Sequence, residues 1–588
     1  MHRESTTNKV CTSNELGDDP QPFRRRHHFA LCEETFNQHY SRNIMSQNEF
    51  GSNFELRVNG KSVSSELLVS PVPTVLAAAA TLPAAARLPP LVALPMRSST
   101  PMPTLSDPHP FAISALGVAT VPTPLEVASG SRFTQDGDLM LYKPYFSDPV
   151  GHPPRDRIDD DGTNADLARG VGSVHLSPDT AESHGGDSSY SMYKRLPGHD
   201  AEMPLFLERS GPREKLFFQP NEVVAGIVTC GGLCPGLNNV IRALVCSLHF
   251  RYHVKSVLGF RYGYEGLNPT YGHMPMVLTP GDVKDAHRFG GSLLGTSRGP
   301  QDINVMVDYL VSLGVTMLFT VGGDGTQKGA HAIAIEAERR GINMAVVGVP
   351  KTIDNDVAYC AKTFGFESAV AMALDPIAAA HEEARSARGG IGIVKLMGRD
   401  SGFIALHATL ASGDVNLLLI PEVPFSLERV YAIVEDRLAT RSHIVIVVAE
   451  GAGQDVIAAA FHGEGKAVER DASGNVKLQD VGAFLRDMIG AHLKKVKVDH
   501  TIKYLEPTYH IRSQPACASD AVFTVSLAQQ AVHAAMAGKT DCVIGLVQDE
   551  FVLVPIQKAV ERRKKVDPTS SLYQTVLDHT GMPRDLVL

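Results

Sequence analysis

The chain has 588 residues, of which 43% are hydrophobic and 20% charged, with a formal net charge of −9 and eight cysteines. This length suffices for roughly two to four domains with sizeable cores. The negative, mixed-sign charge balance excludes the basic surface that a nucleic-acid partner requires, and irregularly spaced cysteines in a long chain predict reduced thiols and an intracellular protein.

The first 204 residues are rich in Pro, Ser, Thr, Asp and Gly and show no sustained helical or strand periodicity. We predict that 1–204 form an N-terminal extension that is largely disordered or loosely packed. Its apolar stretch 72–95 contains five prolines and Arg87, so we predict neither a membrane helix nor a membrane partner. Early acidic residues such as Glu4 and Glu15 disfavour a transit peptide. We therefore expect a cytoplasmic protein, with organellar targeting by the extension left open.

A regular alternation of strands and helices begins after about residue 205. The apolar run 223–230 predicts a strand, the loop GGLCPG follows it, and the next segment predicts a helix. The apolar positions of that helix are Leu237, Val240, Ile241, Leu244, Val245 and Leu248. The same unit recurs at 315–341, around the loop GGDGT, and further strands are predicted at MAVVGV, IGIVKLM, VNLLLIP and HIVIVVAE. This alternation predicts an α/β fold with mainly parallel sheets, whose ligands lie at the carboxyl ends of the strands.

The two glycine-rich loops lie between a predicted strand and a predicted helix. Backbone N–H groups in such a loop, together with the positive end of the helix, favour phosphate. Neither loop is a P-loop or a dinucleotide fingerprint, and each also fits a simple tight turn. Asp324 in GGDGT would repel phosphate unless a cation lies between them, so we infer magnesium phosphate chemistry.

The loop VPKTIDND, 349–356, brings charged side chains to the end of a predicted strand. Asp354 could take the proton of a sugar hydroxyl as that oxygen attacks a phosphoryl group, while Lys351 neutralises the transferred charge. The alternative is a turn in which the acidic side chains only cap backbone amides. The motifs MGRDSG, AEGAG and YHIR add Arg399, Glu450 and Arg512 at other strand ends, and together these residues favour a sugar-phosphate pocket.

Eight segments occur in the order of a known family. TCGGLCPGLNNVIR, LGTSRGPQD, VGGDGTQKGA, GVPKTIDND, GIVKLMGRDSGFIAL, IPEVPF, VVAEGAGQ and YHIRSQPACASDAV closely resemble the 6-phosphofructokinases, particularly the ATP-using plant and protist branch. The resemblance covers 205–570 and leaves the N-terminal extension outside. It implies a glycolytic, allosteric kinase that uses ATP and Mg²⁺ to phosphorylate the 1-hydroxyl of fructose 6-phosphate, giving fructose 1,6-bisphosphate and ADP.

The resemblance implies roles for individual positions. The catalytic residues would be Lys351, Thr352, Asp354 and Arg399. The nucleotide contacts would be Gly232, Arg298, Gly299, Gly323, Asp324, Gly325 and Thr326, with Asp324 also binding the metal. The fructose 6-phosphate contacts would be Thr352, Ile353, Asp354, Met397, Gly398, Arg399, Glu450, Lys503, Tyr509 and Arg512. Lys503 stands where many bacterial members have an arginine, and Gly390 replaces a second one, for which Arg385 or Arg388 could substitute.

Gly325 and Lys351 bear on the phosphoryl donor. Pyrophosphate-using relatives carry Asp in place of Gly325, and that side chain would fill the space of the α-phosphate. Lys351, in contrast, is the residue that the pyrophosphate-using relatives carry at this position, where bacterial ATP enzymes have glycine. Because plant and protist ATP enzymes combine GGDGT with PKTIDND, the resemblance favours ATP, and a pyrophosphate-dependent phosphotransferase is the alternative. Arg261 bears on the nucleotide in another way. It stands where the resemblance to the family implies an aromatic residue near the adenosine of ATP.

Two other classes of protein share some of these features. GGDGT also occurs in lipid and NAD kinases, but TIDND, MGR and YHIR do not belong to them. A noncatalytic regulatory subunit would typically have lost Asp354 or Arg399, and both are present.

The resemblance also implies the architecture. Two Rossmann-like lobes would face each other across a cleft, with a nucleotide-binding lobe at 205–372, rejoined by 511–545, and a sugar-phosphate-binding lobe at 373–510. C-terminal tail helices would occupy 546–588. A homo-oligomer, dimer or tetramer, is expected; its size and its effectors are left open.

Overall fold

The structure is a computed structural model that describes residues 111–127, 131–142, 205–460 and 477–587. Elements are numbered within these ranges. Most of the N-terminal extension, including the apolar stretch 72–95, lies outside the described residues, and so does the disorder predicted for it. Within the described ranges, no helix has the length and apolar character needed to cross a bilayer.

The described ranges form 17 strands and 12 α-helices. The strands are β1 (Ser114–Ala115), β2 (Val121–Pro122), β3 (Leu139–Tyr142), β4 (Leu205–Arg209), β5 (Lys215–Leu216), β6 (Val224–Thr229), β7 (Ser256–Phe260), β8 (Met276–Val277), β9 (Met317–Gly322), β10 (Ala345–Pro350), β11 (Gly390–Leu396), β12 (Leu417–Leu419), β13 (His443–Ala449), β14 (Thr501–Leu505), β15 (Lys539–Thr540), β16 (Cys542–Val547) and β17 (Glu550–Pro555). The helices are α1 (Leu237–Phe250), α2 (Ile303–Ser312), α3 (Asp324–Arg339), α4 (Phe366–Ser386), α5 (Phe403–Ser412), α6 (Leu427–Thr440), α7 (Gln454–Ala460), α8 (Val481–Lys495), α9 (Thr508–Arg512), α10 (Ala518–Met536), α11 (Ile556–Glu561) and α12 (Ser571–Thr580).

The first lobe is built on a nine-stranded sheet in the order β3-β4-β17-β16-β10-β9-β6-β7-β8. The central strands β16, β10, β9, β6 and β7 run parallel, and the flanking strands pair antiparallel. Every residue of β9 and β10 is buried, as their uninterrupted apolar sequences require of a sheet covered on both faces. Helices α1 and α10 contribute to one core cluster, and α2 and α3 contribute to the other.

The second lobe is built on a four-stranded parallel sheet in the order β12-β13-β11-β14. Helices α4 and α5 pack together against it, as do α6 and α8. The predicted fold class, two α/β lobes with mainly parallel sheets, is confirmed.

Two features of the structure bear on the predicted domain limits, which stay predictions. The limit at residue 372 falls inside α4, whose first turn bonds to α10 of the first lobe through Ser368 and Asp520 and whose later turns pack on the second sheet. The returning segment does not end at 545, because β16 and β17 form an antiparallel hairpin within the first sheet. The hairpin turns at Gln548 and Asp549, both with positive φ. The tail helices therefore begin only at Ile556.

Two stretches of the N-terminal extension are docked on the first lobe. β3 pairs with β4 and forms one edge of the nine-stranded sheet, while β1 pairs with β15 and β2 with β5. Phe111 is 6% exposed, and its ring meets that of Tyr359 edge-on at 5.0 Å. These described stretches lie against the first lobe, since their short strands bond to strands beyond residue 204. Loose packing of most of the extension stays a prediction.

Candidate active site

The loop after β10 is fixed by its own side chains. The hydroxyl of Thr352 donates to Asp356 at 2.9 Å and accepts from the backbone N–H of Asp354 at 3.2 Å. Asn355 has φ of 57° and accepts from the backbone N–H of Thr363 at 3.1 Å. Asn355 and Asp356 thus brace the loop, whereas the carboxylate of Asp354 is left for another task.

One carboxylate oxygen of Asp354 is enclosed by the protein. This Oδ1 atom has no hydrogen-bond partner among the described residues. Burial raises the pKa of this carboxyl well above its usual range, and the negative charges of Asp356 and Glu450 act in the same direction. A raised pKa makes the ionised carboxylate a stronger base. Ser401 donates to the Asp354 carbonyl oxygen at 3.3 Å and so links the loop to the second lobe.

A basic group lies on the side of the first glycine loop, which follows β6. Lys351 is 7% exposed and its Nζ donates to the carbonyl oxygen of Gly232 at 2.7 Å. Burial lowers the pKa of this ammonium, and the charges of Arg298 and Arg512 lower it further. A Cβ at Gly232 would lie 3.3 Å from an Arg298 nitrogen and 3.4 Å from an Arg512 nitrogen. Three cations therefore converge on a position without a side chain, where an anion can approach.

Arg512 provides a second orphaned polar atom. Its Nε is enclosed and lacks a hydrogen-bond partner within the described ranges. Its guanidinium lies 5.1 Å from the centre of the Tyr509 ring, which is 77% exposed. A buried donor of this kind fits an anionic ligand, because a desolvated guanidinium N–H is costly to leave unbonded.

The second glycine loop opens α3. Gly323 immediately precedes the helix, Asp324 is its first residue, and the buried Thr326 accepts from the Tyr264 hydroxyl at 2.5 Å through its carbonyl oxygen. A Cβ on Gly325 would meet no atom within 4 Å. Gly299, in the loop before α2, has φ of 107° and similarly open surroundings, and Arg298 beside it is exposed.

An acidic group lies around the guanidinium of Arg563. Its nitrogens lie 2.9 Å from Asp324, 3.0 Å from Asp356 and 2.7 Å from Asp400, in each case at Oδ2. Three carboxylates gathered around one cation form an all-oxygen donor set of the type that Mg²⁺ prefers. The chemistry of these three side chains fits magnesium, but their present geometry does not: among the described residues no group of three or more His, Cys, Asp or Glu side chains is placed to hold a metal ion, and here Arg563 lies among the carboxylates. The sequence prediction included Asp324 but missed the roles of Asp356, Asp400 and Arg563.

The second lobe contributes the residues that follow β11 and β13. Met397 is 3% exposed, and Gly398 has φ of 128°, with a Cβ position only 2.5 Å from the Ser401 carbonyl oxygen, so glycine is required there. Burial raises the pKa of Glu450, and the positive charges of Lys395, Arg399 and Arg512 oppose the rise. Arg399, Glu450 and Arg512 are thus electrostatic neighbours. Ile353, 9% exposed, packs beneath the loop.

Lys503 does not join these residues within one chain. It pairs in register with Gly392, four residues before the end of β11, and its Nζ lies 3.5 Å from Glu383. Arg385 is paired with Glu382, and Arg388 lies 3.7 Å from Asp499; both arginines precede β11. All three basic side chains therefore lie away from the carboxyl end of β11, where Arg399 is found.

Comparisons with known proteins agree on one family. The sequence model described as Phosphofructokinase matches residues 224–535. The chain is 50% identical over 387 residues to the ATP-dependent 6-phosphofructokinase of Trypanosoma cruzi (65% of this chain, 78% of the relative). It is 46% identical over 387 residues to ATP-dependent 6-phosphofructokinase 7 of Arabidopsis thaliana (65% and 78%). The solved pyrophosphate-dependent phosphofructokinase of Marinobacter aquaeolei shares the fold, with a TM-score of 0.50 and 19% identity over 61% of this chain and 91% of that one.

The fold and the cleft therefore define an α/β phosphotransferase, an enzyme rather than a binding module. The chain belongs to the phosphofructokinase family.

Proposed function

We propose that the enzyme transfers the γ-phosphoryl group of ATP to the 1-hydroxyl of fructose 6-phosphate, giving fructose 1,6-bisphosphate and ADP. The observation that carries this proposal is the enclosed Oδ1 of Asp354, which has no hydrogen-bond partner among the described residues and whose carboxyl is an electrostatic neighbour of Asp356, Glu450 and Arg563. The same loop carries Lys351, which bonds to Gly232, and Asp356, which bonds to Arg563. A base with a raised pKa between a phosphate-binding and a metal-binding group is what phosphoryl transfer to an alcohol needs.

The reaction would proceed by direct displacement. The Oδ1 atom of Asp354 takes the proton of the 1-hydroxyl as that oxygen attacks the terminal phosphorus, and the bond to the ADP oxygen breaks. Lys351, Arg298 and Arg512 stabilise the charge on the transferred group. Thr352 keeps the Asp354 amide in place through its hydroxyl, so that the carboxylate does not have to reorganise during the reaction.

Fructose 6-phosphate would bind on the second lobe. Arg399 and Arg512 bind anionic oxygens, and Glu450 accepts hydrogen bonds from sugar hydroxyls. Met397 and Gly398 form the adjacent wall, and the exposed ring of Tyr509 covers the open side. Lys503 lies 3.5 Å from Glu383 in the structure, so a contact between Lys503 and the substrate stays a prediction.

Magnesium would be held by Asp324, Asp356 and Asp400. When bound, the ion neutralises the charge of the donor phosphates and draws electron density from the group in transfer. The chain's part is to bring together three carboxylates that would repel one another without a cation.

ATP is proposed as the donor because of the space beside Gly325. A Cβ there would meet no atom within 4 Å, so the α-phosphate has room that an aspartate side chain would occupy. The curated relatives named above carry ATP in their names. The alternative donor is pyrophosphate, which Lys351 would also suit.

A coupled assay with ATP and with pyrophosphate as donors tests the proposal. We expect fructose 1,6-bisphosphate formation with ATP at a kcat/KM well above that with pyrophosphate, and loss of both without Mg²⁺. A higher kcat/KM with pyrophosphate would identify pyrophosphate, and not ATP, as the donor. Turnover of a lipid or of NAD without turnover of fructose 6-phosphate would show that the acceptor is not fructose 6-phosphate.

We also propose that the enzyme is a cytoplasmic homo-oligomer, a dimer or a tetramer, since closed symmetry is the usual state of such enzymes. The placement of Lys503, Arg385 and Arg388 away from Arg399 leaves these cations for contacts outside the cleft described here. Light scattering on the purified chain would give the subunit number, and a monomer would overturn this proposal.

A further inference from the structure

Arg563 contacts the cleft from a part of the chain that belongs to neither of the predicted lobes. It lies between α11 and α12, in the basic run Arg562, Arg563, Lys564 and Lys565. Its side chain is 32% exposed, yet each of its terminal nitrogens bonds to a carboxylate, and one of them bonds to two. None of the eight family motifs contains this residue.

The backbone around Arg563 is anchored against the catalytic loop. Arg563 forms an antiparallel bridge with Val357, and the backbone N–H of Lys564 donates to the Asp356 carbonyl oxygen at 2.7 Å. Val566 donates through its backbone N–H to Glu422 at 2.8 Å. These bonds fix the start of the Arg563 side chain, so only the long, flexible part of that side chain is free to move.

The guanidinium and a metal ion cannot both lie among these carboxylates. The two amino nitrogens of Arg563 lie within 3.0 Å of Oδ2 atoms from three different residues. An Mg²⁺ ion takes carboxylate oxygens at roughly 2.0–2.1 Å and would occupy the same space. Two cations at contact distance also repel each other strongly in a half-buried setting.

We propose that the Arg563 guanidinium is an internal counter-cation, which occupies the magnesium site of the metal-free enzyme and has to leave these carboxylates before the metal binds. The inference rests on the proposed magnesium site of Asp324, Asp356 and Asp400. It makes metal binding an exchange of one cation for another. Arg563 thereby sets the metal affinity of the enzyme without taking part in the chemical step.

Binding of Mn²⁺ to the nucleotide-free protein, followed by electron paramagnetic resonance, tests the exchange directly. Arg563→Gln removes the competing charge, and we expect it to tighten Mn²⁺ binding by at least about ten-fold relative to the unaltered chain. Arg562→Gln is the matched control, because Arg562 lies over the Tyr359 ring at 5.3 Å and donates to its hydroxyl. The control should leave Mn²⁺ affinity unchanged.

A double variant shows whether the gained Mn²⁺ affinity arises at these carboxylates. Adding Asp324→Asn to Arg563→Gln should remove most of the gained affinity, since both changes act on one group of carboxylates. If Mn²⁺ binds to the unaltered chain and depends on Asp324, but Arg563→Gln leaves its affinity unchanged or weaker, the counter-cation role is wrong and the magnesium site stands. If no variant binds Mn²⁺, the magnesium site and this inference fall together.

Arg563→Lys keeps the test decisive if loss of the charge prevents folding. Lysine retains the charge but has a single ammonium and cannot bridge three carboxylates in the plane of a guanidinium. We expect Arg563→Lys to bind Mn²⁺ more tightly than the unaltered chain and less tightly than Arg563→Gln. An affinity equal to or below that of the unaltered chain would overturn the proposal.

Discussion

The Nζ atom of Lys351 donates a 2.7 Å hydrogen bond to the carbonyl oxygen of Gly232. This bond joins the loop that carries the proposed base to the loop that faces the proposed phosphate, although the two residues lie 119 positions apart. It orients a buried ammonium toward the point where Arg298 and Arg512 also converge. The position of the transferred phosphoryl group therefore depends on Lys351 in two ways, through its charge and through the alignment of the two loops.

Lys351→Met should lower kcat by about 100-fold, because the charge is lost from the group in transit while the buried volume is largely kept. Steady-state kinetics with a thermal melt would measure both effects. Lys284→Met, at an exposed lysine of the first lobe, is the control and should keep normal activity. A Lys351→Met enzyme with full kcat would show that the ammonium serves loop structure alone.

Asp354→Ser should lower kcat by about 100-fold or more while the KM for fructose 6-phosphate changes little, as expected for the loss of a general base. Asp375→Asn removes a carboxylate at an exposed position of α4. It is the control and should keep normal activity. The pH dependence of kcat/KM adds a further check. Since burial raises the pKa of Asp354, activity should fall with decreasing pH at a higher pH than an ordinary carboxylate would give.

Gly325→Asp should shift donor preference away from ATP. The new carboxylate would fill the open space beside the glycine and repel the α-phosphate, so we expect the ratio of kcat/KM for ATP to that for pyrophosphate to fall by at least about ten-fold. Gly325→Ala adds only a Cβ, which would meet no atom within 4 Å, and should keep the original ratio. An unchanged ratio in the aspartate variant would mean that the donor is selected elsewhere.

Deleting 1–204 should leave an active but less stable enzyme, whereas deleting 1–110 should preserve stability. The longer deletion removes β1, β2 and β3 together with Phe111, whose burial alone is worth about 2–3 kcal/mol. It also removes Asp136, which lies 3.2 Å from both Arg213 and Lys539. Thermal melts of the two truncated chains would measure the difference, and equal stability would contradict the docking of these strands.

Mild acid should destabilise the fold through His533 on α10. Burial lowers the pKa of this imidazole to about 4, below its ordinary 6.5, and its Nδ1 lies 2.7 Å from the hydroxyl of the buried Tyr252. The unfolded chain therefore binds a proton at a pH where the folded chain does not. Stability should fall as the pH drops from 6.5 toward 4, with a loss of about 2 kcal/mol between pH 7 and pH 5.

Urea unfolding at pH 7 and pH 5 would measure the contribution of His533. The His533→Gln variant has no imidazole at this position, so its loss of stability between the two pH values should be smaller by that amount. An equal loss in both proteins would place the acid sensitivity in other groups.

The sequence predicted the parts of the site that lie within short motifs. Strands β6, β9, β10, β11, β12 and β13 are found where apolar runs predicted them, because a strand buried on both faces needs an uninterrupted apolar sequence. Each strand end then places its loop in the cleft. This reasoning located Lys351, Asp354 and Asp324 without any knowledge of tertiary contacts.

The contacts of Arg563 could not be predicted in this way. The guanidinium meets Asp400 across 163 positions and Asp356 across 207, and no local periodicity relates such distant residues. The one local signal was four consecutive basic residues in a chain with a net negative charge, a pattern that also fits a solvated tail. The position of Lys503 within β14, in register with Gly392, could not be predicted from its motif for a related reason, and its role as a substrate contact stays a prediction.

The return of the chain to the first lobe has a consequence for biosynthesis. Strands β16 and β17 complete the first sheet only after the whole second lobe has been translated, and Arg563 follows them. A nascent polypeptide emerging from the ribosome can fold the second lobe as a unit while the first still lacks two inner strands. Premature termination before β16 would therefore leave an exposed sheet edge prone to aggregation, and a functional enzyme requires translation past Arg563.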